Sequence, residues 1–160
     1  AGNKLVKQLH NQSGQSIIEV LIATLIVGTV LTAIASGLTL SIRNTAETRQ
    51  RELATNFAQE GLEIFRRERD IQGWRSFVES VDSTTYCLNE LPENSAEFQS
   101  MPQGECSEGT AIAGSTLERN ATVQQLSADT VEISITVTWD ESGTTKEVTV
   151  VQEFKNLQAK

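Results

Sequence analysis

Residues 15–42 read QSIIEVLIATLIVGTVLTAIASGLTLSI, and the fold of the chain turns on this stretch. From Val20 to Leu40 no residue is charged, and the polar members are only Thr, Ser and Gly. A helix rises about 1.5 Å per residue, so the run is long enough to cross a hydrocarbon core about 30 Å thick. Its small residues, Gly28, Ala33, Ala35 and Gly37, would let another helix approach closely. The alternative is a buried helix of a globular domain, and the length of the run argues against it.

Outward from this run the charge is uneven. On the N-terminal side, residues 1–14 (AGNKLVKQLHNQSG) are short and polar, with Lys4 and Lys7 as their only full charges. The positive-inside rule then expects the N-terminus in the cytoplasm and residues 43–160 outside, a single-pass topology. On the C-terminal side helical signals continue from Arg43 to about Phe77, with no Pro and many good helix formers. Leu53, Phe57, Gly61, Ile64 and Phe65, with Ala54 and Ala58 beside them, recur at three- and four-residue spacings. The rest of that segment carries seven Arg against six acids. One helix over 15–77 is expected, apolar all round in its first half and amphipathic in its second.

Composition changes after Phe77. Residues 77–160 hold fourteen acids against four bases, which more than accounts for the net charge of -8. Residues 80–116 contain both Pro and both Cys with little periodicity, and read mostly as loop. In TVEISITVTWD, Val131, Ile133, Ile135, Val137 and Trp139 alternate with polar residues, as in a strand with one buried face. Asp140-Glu141-Ser142-Gly143 suggests a hairpin loop into a partner strand over roughly 144–154, with Val148, Val150 and Phe154 on one face. A weaker strand over 118–126 would precede them. Such a sheet must bury one face, and the amphipathic helix is the available cover. The expected fold class is α+β, a long N-terminal helix packed on a small antiparallel C-terminal sheet. A chain of 160 residues suffices for one such domain.

Gly14-Gln15-Ser16-Ile17-Ile18-Glu19 places a Gly directly before the apolar run and one carboxylate just inside it. A carboxylate in lipid is costly unless paired. Either Glu19 sits in the first helical turn, favoured by the dipole and close to water, or it pairs with an amine. GQSIIEVLIATLIVG resembles the N-terminus of type IV prepilins and pseudopilins, whose leader ends in Gly before a hydrophobic helix with Glu at mature position five. LATNFAQEGLEIFRRERD and ITVTWDESGTTKEVTV are similar to the second half of the helix and the C-terminal hairpin of several minor pilins. The resemblance implies a leader at 1–14, cleavage between Gly14 and Gln15 by a membrane prepilin peptidase, and N-methylation of Gln15. It further implies that Glu19 neutralises the N-terminus of a neighbouring subunit as helices stack. Gln15 stands where Phe or Met is commoner, and Ser36 where many major pilins carry a kinking Pro.

The implied organisation is a leader (1–14), a transmembrane and assembly helix (15–42) and an extracytoplasmic head (43–160). The head divides into a helix at 43–77, a loop region at 80–116 and a sheet at about 118–154. The expected function is that of a structural subunit of a type IV pilus or pseudopilus, similar to a minor pilin. It would be stored in the cytoplasmic membrane and then carried to a surface pilus or a periplasmic pseudopilus. Its partners would be the peptidase, other pilin subunits and the membrane. The alternative is a membrane-anchored or secreted binding domain. Ala33-Ile34-Ala35 would serve an ordinary signal peptidase, with Lys4 and Lys7 as the basic end, and an uncleaved single-pass anchor is a third possibility.

Other chemistry finds few residues. The acidic balance argues against a nucleic-acid partner, because phosphate binding needs clustered Lys and Arg. One His and two Cys supply no zinc set, and the scattered acids match no calcium loop, so no metal and no cofactor is expected. No phosphate loop, HExxH or GxSxG occurs, and the sole His, His10, lies in the leader, so no catalytic residue and no enzymatic activity is expected. Trp74 and Trp139 read as core or helix–sheet contacts, and Asn120-Ala121-Thr122 fits a glycosylation sequon. Cys87 and Cys106 would enclose about 20 residues. In an oxidising compartment they are expected to form a disulfide; two free thiols are the alternative.

Overall fold

The computed structural model describes residues 12–107 and 109–156, with side chains from residue 16 onward. Helix α1 spans Gln12–Gln72 and is followed by α2 (Trp74–Ser80), β1 (Thr85–Cys87) and α3 (Ser95–Gln99). Strands β2 (Glu118–Ser127), β3 (Thr130–Glu141) and β4 (Thr144–Lys155) complete the chain. The fold is α+β. It divides into two compact units at residues 47 and 48, and α1 contributes to both.

In the first unit every described side chain from residue 16 to residue 42 is exposed. The large apolar ones keep between 51% (Val30) and 69% (Leu25, Ile42) of their accessible surface. Five of the hydroxyls in this segment are satisfied inside the helix. Thr24 and Thr29 donate to carbonyls three residues back, and Thr32, Ser36 and Thr39 to carbonyls four residues back, at 2.8–3.0 Å. A hydroxyl bonded in this way needs no water, so these five add little polarity to a surface that is otherwise largely apolar apart from Glu19.

The second unit is a four-stranded antiparallel meander in the order β1-β2-β3-β4, with one face covered by α1. All five alternating residues of β3, Val131 to Trp139, are buried, and the pairing runs without interruption from Thr130↔Lys155 to Glu141↔Thr144. Two residues, Ser142 and Gly143, make the β3–β4 turn, both at positive φ (55° and 77°). That is the backbone a two-residue hairpin turn requires. Asp140 and Glu141 belong to the strand, and Asp140 Oδ1 accepts the Gly143 amide at 3.0 Å.

The bounds of α1 differ from expectation at both ends. The helix does not reach Phe77: it stops at Gln72, where Gly73 takes φ 77° and its amide bonds to Arg69 O at 3.0 Å. A left-handed glycine after the last turn is a common helix ending, and it redirects the chain so that Phe77 enters the core from α2. The helix also includes Gln12-Ser13-Gly14, ahead of Gln15. The stretch 80–116 is mostly loop, as expected. It holds the three-residue β1 and the five-residue α3, both too short to show a period.

The buried face of α1 also differs in detail. Leu53, expected inside, is exposed, whereas Leu62 joins Ala54, Ala58, Ile64 and Phe65 in the core. The helix and the sheet approach closely at Gly61. A Cβ placed there would lie 3.2 Å from Ile135 Cγ2 and 3.3 Å from Arg119 Cδ. Gly61→Leu should therefore push helix and sheet apart and destabilise the head by about 1–3 kcal/mol, the usual cost of overpacking. Urea unfolding of the detergent-solubilised chain, followed by tryptophan fluorescence, measures it; an unchanged midpoint would contradict this close approach.

Candidate functional site

The residues singled out in the sequence fall into two groups that the structure does not bring together. Gly14 and Gln15 are helical in backbone, and their side chains lie outside the described ones. Lys4, Lys7 and His10 lie outside the described residues altogether. Glu19 is exposed on α1, and among the described residues it forms no hydrogen bond or ion pair. Because α1 begins at Gln12, Glu19 lies about two turns into the helix and not in its first turn, which contains no acid. Gln15 and Glu19 are four residues apart on a helix, hence on one face. Among the described residues, one helix is long and apolar enough to cross a membrane, and it carries this carboxylate.

The second group is in the head. Cys87, at the end of β1, is joined to Cys106 by a disulfide. Cys106 is fixed further, its amide bonding to Asn120 Oδ1 at 2.9 Å. That bond uses the Asn120 carboxamide, so the glycosylation sequon lies inside a paired strand with its acceptor side chain engaged. Trp139 is buried as expected, with no partner for Nε1 among the described residues. Trp74 packs at the rim of the core and donates to Ala128 O at 3.3 Å.

Two buried charges were not foreseen. Arg119 is 1% exposed and sits between β2 and α1. Its Nε donates to Leu88 O at 2.9 Å, and its Nη1 donates to Phe57 O at 2.9 Å and Glu60 Oε2 at 3.0 Å. Burial lowers the Arg119 pKa, opposed by the Glu60 carboxylate. The signal lay in the alternation of β2, where Arg119, Ala121 and Val123 occupy successive inward positions. Glu68, also buried, is one turn beyond Phe65 on the apolar face of α1. It accepts from Ser95 Oγ (2.6 Å), Gln72 Nε2 (2.8 Å) and Arg67 (3.1 Å). Arg67 also donates to Pro92 O at 3.0 Å. These charges tie α1 to the segment between the cysteines. Asn94 begins that segment's helix α3, accepting the amides of Ala96 and Glu97 while Glu97 Oε2 accepts the Glu93 amide. This is a variant of the capping box, with the return bond one residue before the N-cap and a side-chain bond from Asn94 Nδ2 to Glu97 Oε1 at 2.7 Å, legible in Asn94-Ser95-Ala96-Glu97.

Beside these residues a surface hollow of about 590 Å³ is bordered by Cys87, Glu90, Glu97, Met101 and Glu105. Among the described residues no group of three His, Cys, Asp or Glu stands close enough to hold a metal ion. No family model, no curated protein and no solved structure matches the chain.

Burial raises the Glu68 pKa, but the hydrogen bonds from Ser95, Gln72 and Arg67 and the Arg67 charge outweigh it and hold the carboxyl below its ordinary 4.5. A carboxyl with a depressed folded pKa contributes stability that is complete above its unfolded pKa and is lost as pH falls through the folded value. The head should thus lose stability progressively below about pH 4.5. Glu68→Gln should cost about 1.5–3 kcal/mol near neutrality, typical for hydrogen bonds to a charged group, and should flatten part of that acid slope. Urea titrations from pH 3 to 7 compare the two chains; parallel curves would remove Glu68 from the account.

Proposed function

We propose that the chain is a structural subunit of a type IV pilus or a related pseudopilus, held in the membrane through α1 before helix-mediated assembly. The observation that carries this reading is the lone carboxylate of Glu19. It stands, without a partner among the described residues, in a helical surface that is otherwise apolar for more than twenty residues. A solvated anchor has no use for it, whereas an assembly of helices can pair it with a cation from a neighbour. In apolar surroundings an ion pair is viable only when both members are present. The cation offered by the resemblance is the amine freed at Gln15 when the leader is cut after Gly14. A small α+β head behind a membrane-grade helix supports the same reading, as does the internal bonding of the helix hydroxyls. Lys4 and Lys7 favour an N-terminus inside and a head outside.

Sequencing the mature N-terminus tests processing: Gln15 is expected, while Ser36 would indicate an ordinary secretory signal and the original start an uncleaved anchor. Either of those two results overturns the proposal. Gly14→Leu should block leader removal, because the peptidase must seat a small residue beside the scissile bond. Glu19→Ala should leave cleavage intact and reduce the sheared-fibre fraction on the order of a hundredfold, the effect of orphaning one member of an ion pair in apolar surroundings. A Glu19→Ala chain that enters fibres as well as the parent would end the pairing role.

A further inference from the structure

We infer that the Cys87–Cys106 disulfide is a redox gate on the head. Closed, it holds segment 88–105 on α1 as the partner of two buried charges. Opened, it releases the segment and uncovers an aromatic cluster. This does not depend on the fibre-subunit reading.

The segment has little structure of its own. Among the described residues it contains only the five-residue α3 and one isolated bridge, Tyr86↔Gln103. Its first end hangs on β1, a three-residue edge strand paired with β2 alone. Backbone bonds close its two ends, Cys87 N to Pro102 O at 3.0 Å and Gly104 N to Thr85 O at 2.7 Å. Leu88, Phe98 and Met101 are buried, and a further set of contacts runs to charged side chains of α1 and β2. Arg119 takes Leu88 O, Glu68 takes Ser95 Oγ, and Arg67 takes Pro92 O. Between these points Phe98 is driven in edge-on to Phe65 at 5.4 Å and lies over Phe77 at 6.4 Å. The charges and the disulfide are interlocked through one strand residue. Arg119 bonds Leu88 through both its side chain and its backbone carbonyl, and the same carbonyl lies 3.3 Å from Cys106 Sγ.

The consequence follows from chain entropy. With the cysteines joined, the nineteen-residue separation is closed covalently and the three ties form at a reduced loop cost. With the thiols free, the same ties must close the loop themselves, and the docking equilibrium shifts by on the order of a hundredfold. The segment then leaves as a unit with β1, while β2, β3 and β4 retain their continuous pairing. Closing the gate removes two electrons and two protons from the two thiols and forms one S–S bond. A disulfide oxidant, through a mixed disulfide, accepts both and leaves as two thiols. Opening is the reverse, in which a dithiol reductant attacks through a mixed disulfide, delivers two electrons and two protons and leaves as its own disulfide. The bond is reachable, since Cys87 borders the open hollow and neither cysteine is fully buried.

The test uses the full chain in detergent micelles and a glutamate-specific protease. The segment contains Glu90, Glu93, Glu97 and Glu105, while Glu132 and Glu147 report on the sheet. Treatment with dithiothreitol, or the Cys87→Ser/Cys106→Ser double substitution, should raise cleavage within 88–105 on the order of a hundredfold and leave cleavage at Glu132 and Glu147 nearly unchanged. Reoxidation of the parent with oxidised glutathione should restore resistance. Ser95→Ala should stay resistant while oxidised and be cut faster than the parent when reduced. Segment cleavage that does not rise on reduction overturns the proposal. So does an equal rise at the sheet sites, which would make the bond a staple of the whole head. So does an oxidised Ser95→Ala chain as open as the reduced parent, because the charge tie and not the disulfide would then be the gate.

Discussion

The head depends on how closely α1 can lie against the sheet, and that is decided where Gly61 faces Ile135 and Arg119. A glycine inside a helix costs about 1 kcal/mol against alanine. Here it opens room for the aliphatic stem of Arg119 to pass between helix and strand. The guanidinium at the end of that stem is then within reach of Phe57 O, Glu60 and Leu88 O, three acceptors from two parts of the chain. A buried cation is tolerable when its donors are taken up by fixed acceptors, and costly otherwise. The close approach and the satisfied arginine thus require each other.

The same arrangement explains why the region between the cysteines is ordered despite its poor intrinsic structure. Its anchors are supplied by residues on other elements: Arg119 on β2, Glu68 and Arg67 on α1. Phe65, Phe77 and Phe98 then close over one another, with Phe154 of β4 adding a further ring 6.1 Å from Phe77. The Arg69 guanidinium lies over Phe154 at 5.4 Å, so charge borders this cluster as well. A core of this kind unites apolar area from helices too short to bury it alone.

The first unit obeys a different physics. Its described side chains from residue 16 to residue 42 are exposed. They form a largely apolar cylinder, with five hydroxyls turned back onto their own backbone. Such a surface is stable in lipid or against copies of itself and unfavourable in water. Glu19 is the charged exception, and the functional reading rests on this exception.

Much of this was legible in the residue order. The apolar run, the five inward residues of β3 and the turn at Ser142-Gly143 are local patterns, and local patterns are set by periodicity and backbone preference. The capping box at Asn94 was equally local, though α3 is too short for a periodic signal to draw attention to it. Sequence alone also determined that the chain is apolar in one part and acidic in another. Tertiary structure alone decided where α1 ends in effect, why Leu62 and not Leu53 is inside, and that Arg119 and Glu68 are buried. The reason is that burial of a charge depends on acceptors and donors brought from distant positions. Leu88 and Phe57 lie 31 and 62 residues from Arg119, and Ser95 lies 27 from Glu68. No spacing rule along the chain encodes those partners; they exist only once helix, loop and sheet have closed on one another.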